Sequence, residues 1–131
     1  MSAMKRKILI IDDEKDLCHF YKLVLEDTGR FDVKTETNSA NALVAVKDFG
    51  PEMILLDIAM PNMDGGEVEE LLKQADISKD IPIIFVSALA STLHNAQEGV
   101  QVAGRFVVAK PVTAEGLIGI IDKRLPPLPK P

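Results

Sequence analysis

The sequence predicts a doubly wound α/β sandwich, a parallel sheet covered by helices on both faces. Three observations carry that reading. Short runs rich in Ile, Val and Leu alternate along the chain with amphipathic helical patterns, the signature of βαβ crossovers. Most of these runs are apolar at every position, as strands buried on both faces must be. Several of them end abruptly on polar side chains, at the edge of the sheet where open α/β folds bind ligands.

The elements follow in order. KILIID (7–12) is a short β-branched run and reads as a buried strand. Leu17, Phe20, Tyr21, Val24 and Leu25 then recur at helical spacing, and Gly29 stops that helix. DVKTET (32–37) alternates apolar and polar residues, which suits a half-exposed edge strand. A second helix spans about Asn41 to Phe49 and closes at Gly50-Pro51. MILLD (53–57) is the third strand. A loop holding Pro61 and Gly65-Gly66 leads to a helix with Val68, Leu71, Leu72 and Ala75 on one face. PIIFVS (82–87) is the fourth strand. A weak helix is expected over 91–103, interrupted by Gly99 at a cost of about 1 kcal/mol relative to Ala. RFVVAK (105–110) is the fifth strand. Thr113 is a good N-cap for a last helix carrying Leu117, Ile120, Ile121 and Leu125. The expectation is one domain over 1–125, then a proline-rich tail or the start of a linker, PPLPKP (126–131), which cannot continue a helix.

Composition narrows the function. At 131 residues and 47% hydrophobic, the chain builds one ordinary domain with a real core. A net charge of −5 argues against a direct nucleic-acid binder, which would present a basic face. The single cysteine, Cys18, excludes an internal disulfide and a Cys-rich zinc site. No apolar run approaches the roughly 18 residues of a membrane span. The basic KRK and the ILII after it stop at DDE, short of a signal peptide's roughly 7–15 apolar residues. The reading is a soluble cytoplasmic protein with no membrane partner.

The strand ends carry the chemistry. The first strand ends in Asp12, Asp13 and Glu14, the third in Asp57, the fourth in Ser87 and the fifth in Lys110. Converging carboxylates repel each other, and a divalent cation relieves them; hard oxygen donors without His or Cys favour Mg²⁺. Lys110 adds a compact positive charge suited to a phosphate oxygen, and Ser87 a hydroxyl donor. Together they read as a phosphoryl-transfer site with Asp57 as nucleophile. Each residue has a plainer reading when taken alone. Asp12, Asp13 and Glu14 suit a helix N-terminus, Ser87 suits the start of a loop, His19 and His94 read as surface histidines, and Cys18 as a half-buried packing residue.

ILIIDDE (8–14), LLDIAMPNMDGGE (55–67), IIFVSA (83–88) and KPV (110–112), in this order, resemble the receiver domains of two-component response regulators over nearly the whole chain. The resemblance implies a flavodoxin-like fold with five parallel strands in the order 2-1-3-4-5. It implies that Asp57 accepts a phosphoryl group from a histidine kinase or a histidine phosphotransfer protein. Asp13 matches a direct Mg²⁺ ligand, Asp12 a ligand through water, and Ala59 supplies a backbone carbonyl. Ser87 matches the switch hydroxyl and Lys110 the lysine that pairs with the phosphoryl group, with Lys110–Pro111 commonly cis. The module then regulates an output partner protein by changing its surface, with only self-phosphorylation and self-dephosphorylation chemistry of its own. One position departs from the family. Val107 stands where a rotating Tyr or Phe is usual, and Phe106 is one residue earlier, on the opposite face of the strand.

Two other classes fit less well. An aspartate-nucleophile phosphatase of the haloacid-dehalogenase type needs a second acid two residues after the nucleophile, where this chain has Ala59. A flavodoxin-like cofactor carrier needs a phosphate-binding loop after the first strand, where DDEKD repels phosphate. Within the leading class, the chain is either a stand-alone receiver or the receiver severed from a longer multidomain regulator.

Overall fold

The computed structural model describes residues 5–93 and 95–127. In chain order the elements are β1 (Arg6–Ile11), α1 (Lys15–Asp27), β2 (Phe31–Glu36), α2 (Ala42–Phe49), β3 (Met53–Leu56), α3 (Gly65–Gln74), β4 (Ile83–Ser87), β5 (Val100–Val102), β6 (Arg105–Ala109) and α4 (Ala114–Arg124). The sheet order is β2-β1-β3-β4-β6-β5. Every neighbouring pair is parallel except β5–β6. The expected parallel order is therefore present, with β6 in the fifth place and an antiparallel strand added outside it.

Each strand's alternating side chains feed two cores. Ile8, Ile10, Leu55, Val86 and Val108 pack with Tyr21, Leu25, Leu117 and Ile121 on the α1/α4 face. Leu9, Ile11, Leu56, Phe85 and Val107 pack with Ala45, Val46, Val68 and Leu72 on the α2/α3 face. In α1 the buried stripe is Cys18, Tyr21 and Leu25. Phe20, expected on that stripe, lies at its flank and is 45% exposed. Thr113 caps α4 as expected, accepting from the Gly116 N–H at 3.0 Å.

The helix expected over 91–103 is absent. Two 3-10 turns, Ala88–Thr92 and Ala96–Glu98, lead instead into β5, which hairpins onto β6. The physical reasons are local. Gly99 adopts a φ of +91° and lies on the Phe106 ring, where any Cβ would collide with it. Ala103 and Gly104, at φ +51° and +80°, form the two-residue turn between Val102 and Arg105. Successive left-handed residues match the right-handed twist of the flanking strands, which is why such hairpins favour Asn-Gly. His94, read above as a surface histidine, lies outside the described residues, as does most of the proline tail. His19 is exposed.

Ala103 is the strained member of that turn, because its Cβ crowds the backbone at positive φ. Ala103→Asn, which tolerates this conformation, is expected to raise stability by about 0.5–1 kcal/mol. Ala103→Val should lower it. Urea denaturation of the three proteins checks this, and a ranking with valine at or above wild type would contradict it.

Candidate functional site

Strand register sets the site. Ile11 is level with Leu56, so Asp12 and Asp57 leave the sheet side by side. Ser87 is level with Ala109, so Lys110 leaves one residue beyond it. Two backbone bonds pin these exits: the Asp57 N–H donates to Ile11 O at 3.0 Å, and the Lys110 N–H to Ser87 O at 3.1 Å. The loop after β3 is held close by Gly65. Its N–H donates to Ile58 O at 2.8 Å, and a Cβ there would run into the Asp57 backbone oxygen. Asp64 and Glu67 complete a capping box at the start of α3.

Asp12, Asp13 and Asp57 each present a carboxylate oxygen within 4.8 Å of the others. Asp12 and Asp57 are buried and Asp13 reaches solvent. Lys110, its side chain 9% exposed, closes the group. Its Nζ donates to Asp12 Oδ2 at 2.8 Å and to Glu14 Oε1 at 3.1 Å, and lies 3.6 Å from Asp57 Oδ1. Burial works against this ammonium, but the hydrogen bond to Asp12 and the surrounding carboxylates overcome it and hold its pKa above the ordinary range. Burial, and then the charge of Asp12, pushes the Asp57 carboxyl up to about 6, with Lys110 and the Ile58 N–H pulling the other way. A single ammonium shared among several acids leaves the site short of positive charge.

The donor set fits a hard divalent cation. The converging atoms are carboxylate oxygens, the donor type that a hard divalent cation takes. The adjacent Cys18 keeps its thiol proton. Burial, then Asp12, pushes its thiol up to about 12, and its Sγ–H donates to Asp12 O at 3.2 Å. Ala59 lies exposed in the loop after β3, and among the described residues no hydrogen bond occupies its carbonyl.

Ser87 is buried, and its Oγ accepts the Leu89 N–H at 3.1 Å, capping the 3-10 turn that follows. Lys110–Pro111 is cis. Two features went unread in the sequence. Glu14 occupies the N-cap position of α1, yet its side chain caps nothing and reaches Lys110 instead. The Tyr21 hydroxyl is buried without a hydrogen-bond partner among the described residues. A cavity of about 440 Å³ opens beside it, lined by Glu14, Leu17, Lys110 and Pro111 among others. Val107 faces the α2/α3 core and lines a cavity of about 90 Å³ with Ile58, Gly66, Phe85 and Arg105. Phe106 faces the opposite side, between Gly99 and Arg124, whose guanidinium carbon lies 4.1 Å from the ring centre.

A family model, the response regulator receiver domain, matches residues 8–122. The chain belongs to that family. It is a receiver domain of two-component response regulators. The DNA-binding response regulator MtrA of Mycolicibacterium smegmatis is 30% identical over 125 residues, covering 95% of this chain and 53% of that protein. The receiver thus spans about half the length of that relative. Protein PilG of Pseudomonas aeruginosa is 31% identical over 120 residues, covering 92% of this chain and 87% of PilG. Among solved structures, the Vibrio cholerae chemotaxis protein CheY4 superposes with a TM-score of 0.78 at 24% identity, covering 93% of this chain and all of that one. The N-terminal domain of a response regulator receiver protein from Methanoculleus marisnigri superposes at 0.67 with 29% identity, covering 93% of this chain and 98% of that one. No helix among the described residues is long and apolar enough to cross a membrane.

The raised Asp57 carboxyl makes a prediction about the receiver without metal. The unfolded chain releases this proton in the ordinary carboxylate range, while the folded chain keeps it to about pH 6. Stability therefore falls as pH rises through that window, and the whole cost is present above it. In EDTA near neutral pH, Asp57→Asn should exceed wild type by on the order of 2 kcal/mol. The gap should close on acidification to about pH 4, and Mg²⁺ should narrow it at neutral pH. Denaturant titrations of both proteins across pH check this. A gap that is absent or independent of pH would contradict it.

Proposed function

We propose that this receiver accepts a phosphoryl group on Asp57 from a phosphohistidine of a histidine kinase or a histidine phosphotransfer protein, and then regulates an output partner protein through its altered surface. The observation that carries this reading is the convergence of Asp12, Asp13, Asp57 and Lys110 where β1, β3 and β6 leave the sheet. Asp57, with a pKa of about 6, is ionised at neutral pH and presents a nucleophilic oxygen. That oxygen attacks phosphorus, the P–N bond to the donor imidazole breaks with its electron pair going to the ring, and an acyl phosphate remains on Asp57. Asp12, Asp13, Asp57 and the Ala59 carbonyl would hold Mg²⁺, which supplies charge neutralisation at the transferring phosphoryl oxygens.

Lys110 has a different part. Its ammonium now rests on Asp12 and Glu14, and a new phosphoryl group beside Asp57 offers it a stronger partner. Ser87 is the hydroxyl that joins that group, giving up its hold on the Leu89 N–H and drawing the 88–92 turn inward. With Val107 at the family's aromatic position, the readout goes through that turn and the segment leading to the β5–β6 hairpin. The chain has no activity toward a separate substrate in this reading, and no direct part in binding nucleic acid or membrane. It works in the cytoplasm, with residues 1–125 as the domain and 126–131 as a tail or linker. MtrA, with its greater length, favours a second arrangement in which this receiver is one piece of a longer regulator. The chemistry at Asp57 is the same in both.

Acetyl phosphate with Mg²⁺ should add one phosphoryl mass to wild type and none to Asp57→Asn, and excess EDTA should abolish the gain. Equal labelling of the two proteins would overturn the assignment. Lys110→Ala should bind Mg²⁺ at least as tightly as wild type by calorimetry, because an ammonium no longer competes for Asp12. It should lose the change in amide exchange over 88–103 that a beryllofluoride mimic induces in wild type. Weakened Mg²⁺ binding in a folded Lys110→Ala protein would contradict this role.

A further inference from the structure

The two edges of the sheet are treated differently. At the β2 edge, α1 reaches over the exposed backbone. Lys22 Nζ donates to Val33 O at 2.8 Å, and the Val33 N–H donates to Glu26 Oε2 at 3.2 Å. Both outward groups of Val33 are thereby satisfied within the molecule, and a charged pair stands in the way of any added strand.

The β5 edge has no such cover. Val102 and Arg105 flank a two-residue turn, so they form a hydrogen-bonded pair, and the ladder alternates from there. Gln101, opposite Phe106, is then a non-hydrogen-bonded position whose N–H and C=O point away from β6. Among the described residues no side chain reaches this backbone. The strand carries no charge, Gln101 is exposed, and Val102 is 41% exposed. Leu89 and Leu93, on the segment that leads to it, are also exposed.

We infer that β5 is a pairing edge for a second copy of this chain, joined antiparallel about a two-fold axis at Gln101. The pattern is self-complementary. Gln101 of each copy exchanges N–H···O bonds with Gln101 of the other, and Val100 stands beside Val102 of the second copy. The paired residues Val100, Gln101 and Val102 carry no charge, so no like charges meet along the seam. An arrangement that pairs β5 with β2 of another copy would propagate into a fibre, and the Lys22–Glu26 cover prevents it. The pairing therefore closes as a dimer with one sheet running through both molecules. Three residues make a small contact, so association is weak, with a Kd on the order of 0.1 mM.

Sedimentation equilibrium of the full chain decides the question. Wild type should rise from monomer toward dimer mass as its concentration is raised to about 1 mM. Gln101→Pro removes only the outward N–H and suits an edge strand; it should stay monomeric with an unchanged circular dichroism spectrum. Val102→Lys, which keeps the backbone intact and sets lysines into the seam, should do the same. Gln101→Cys should form a disulfide-linked dimer under mild oxidation, since opposed hydrogen-bonded residues lie about 5.5 Å apart. A wild type monomeric at about 1 mM, a dimer that survives both Gln101→Pro and Val102→Lys, or a Gln101→Cys protein that fails to cross-link would each overturn the proposal.

Discussion

The ammonium of Lys110 is the charge on which the site depends. Asp12 and Asp57 are buried at the ends of two adjacent core strands, and Lys110 touches both. Without a cation there, two carboxylates would sit side by side with little water, at a cost of several kcal/mol. Yet Lys110 does not divide itself evenly. Its short contacts go to Asp12 and Glu14, and Asp57 gets the long one. The result is a pocket in which the buried acid with the least support is Asp57, the one proposed to take the phosphoryl group.

That imbalance is produced by the sheet. Parallel register between β1 and β3 makes Asp12 and Asp57 emerge level, and register between β4 and β6 sets Lys110 one step beyond Ser87. The two cores above and below the sheet keep those registers, because a slip of one residue would exchange every side chain into the opposite core, whose packing it does not fit. Gly65 adds the last constraint by letting α3 press directly on the Asp57–Ile58 backbone. The fold's hydrophobic patterning and the site's geometry are thus one arrangement.

Most of this was legible because it rests on patterns with a short period. The runs ILII, MILL and IIFVS announce buried strands, and the polar residues that end them announce the site. What escaped depends on where distant groups land. Glu14 reads as a helix cap in any local view; only the arrival of Lys110 makes it a cross-strand partner. The 88–104 segment has neither a helical stripe nor a clear strand alternation. Its one turn signal, Ala103-Gly104, lacks the asparagine that marks such hairpins. Tyr21 reads correctly as a core residue, but nothing in its spacing says that its hydroxyl finds no partner among the described residues.

The Phe106 ring has a consequence for whatever chain lies downstream. One side of it carries the backbone at Gly99, and the Arg124 guanidinium rests on its face. Arg124 belongs to the last turn of α4, and just beyond it the Pro126 carbonyl is held by Arg6 at 2.6 Å. The hairpin and the exit of the last helix therefore share one aromatic plate, with a cation clamped against it. A substitution that pushed Gly99 off the ring would therefore be felt at Arg124, beside the point where Arg6 holds the chain as it leaves α4.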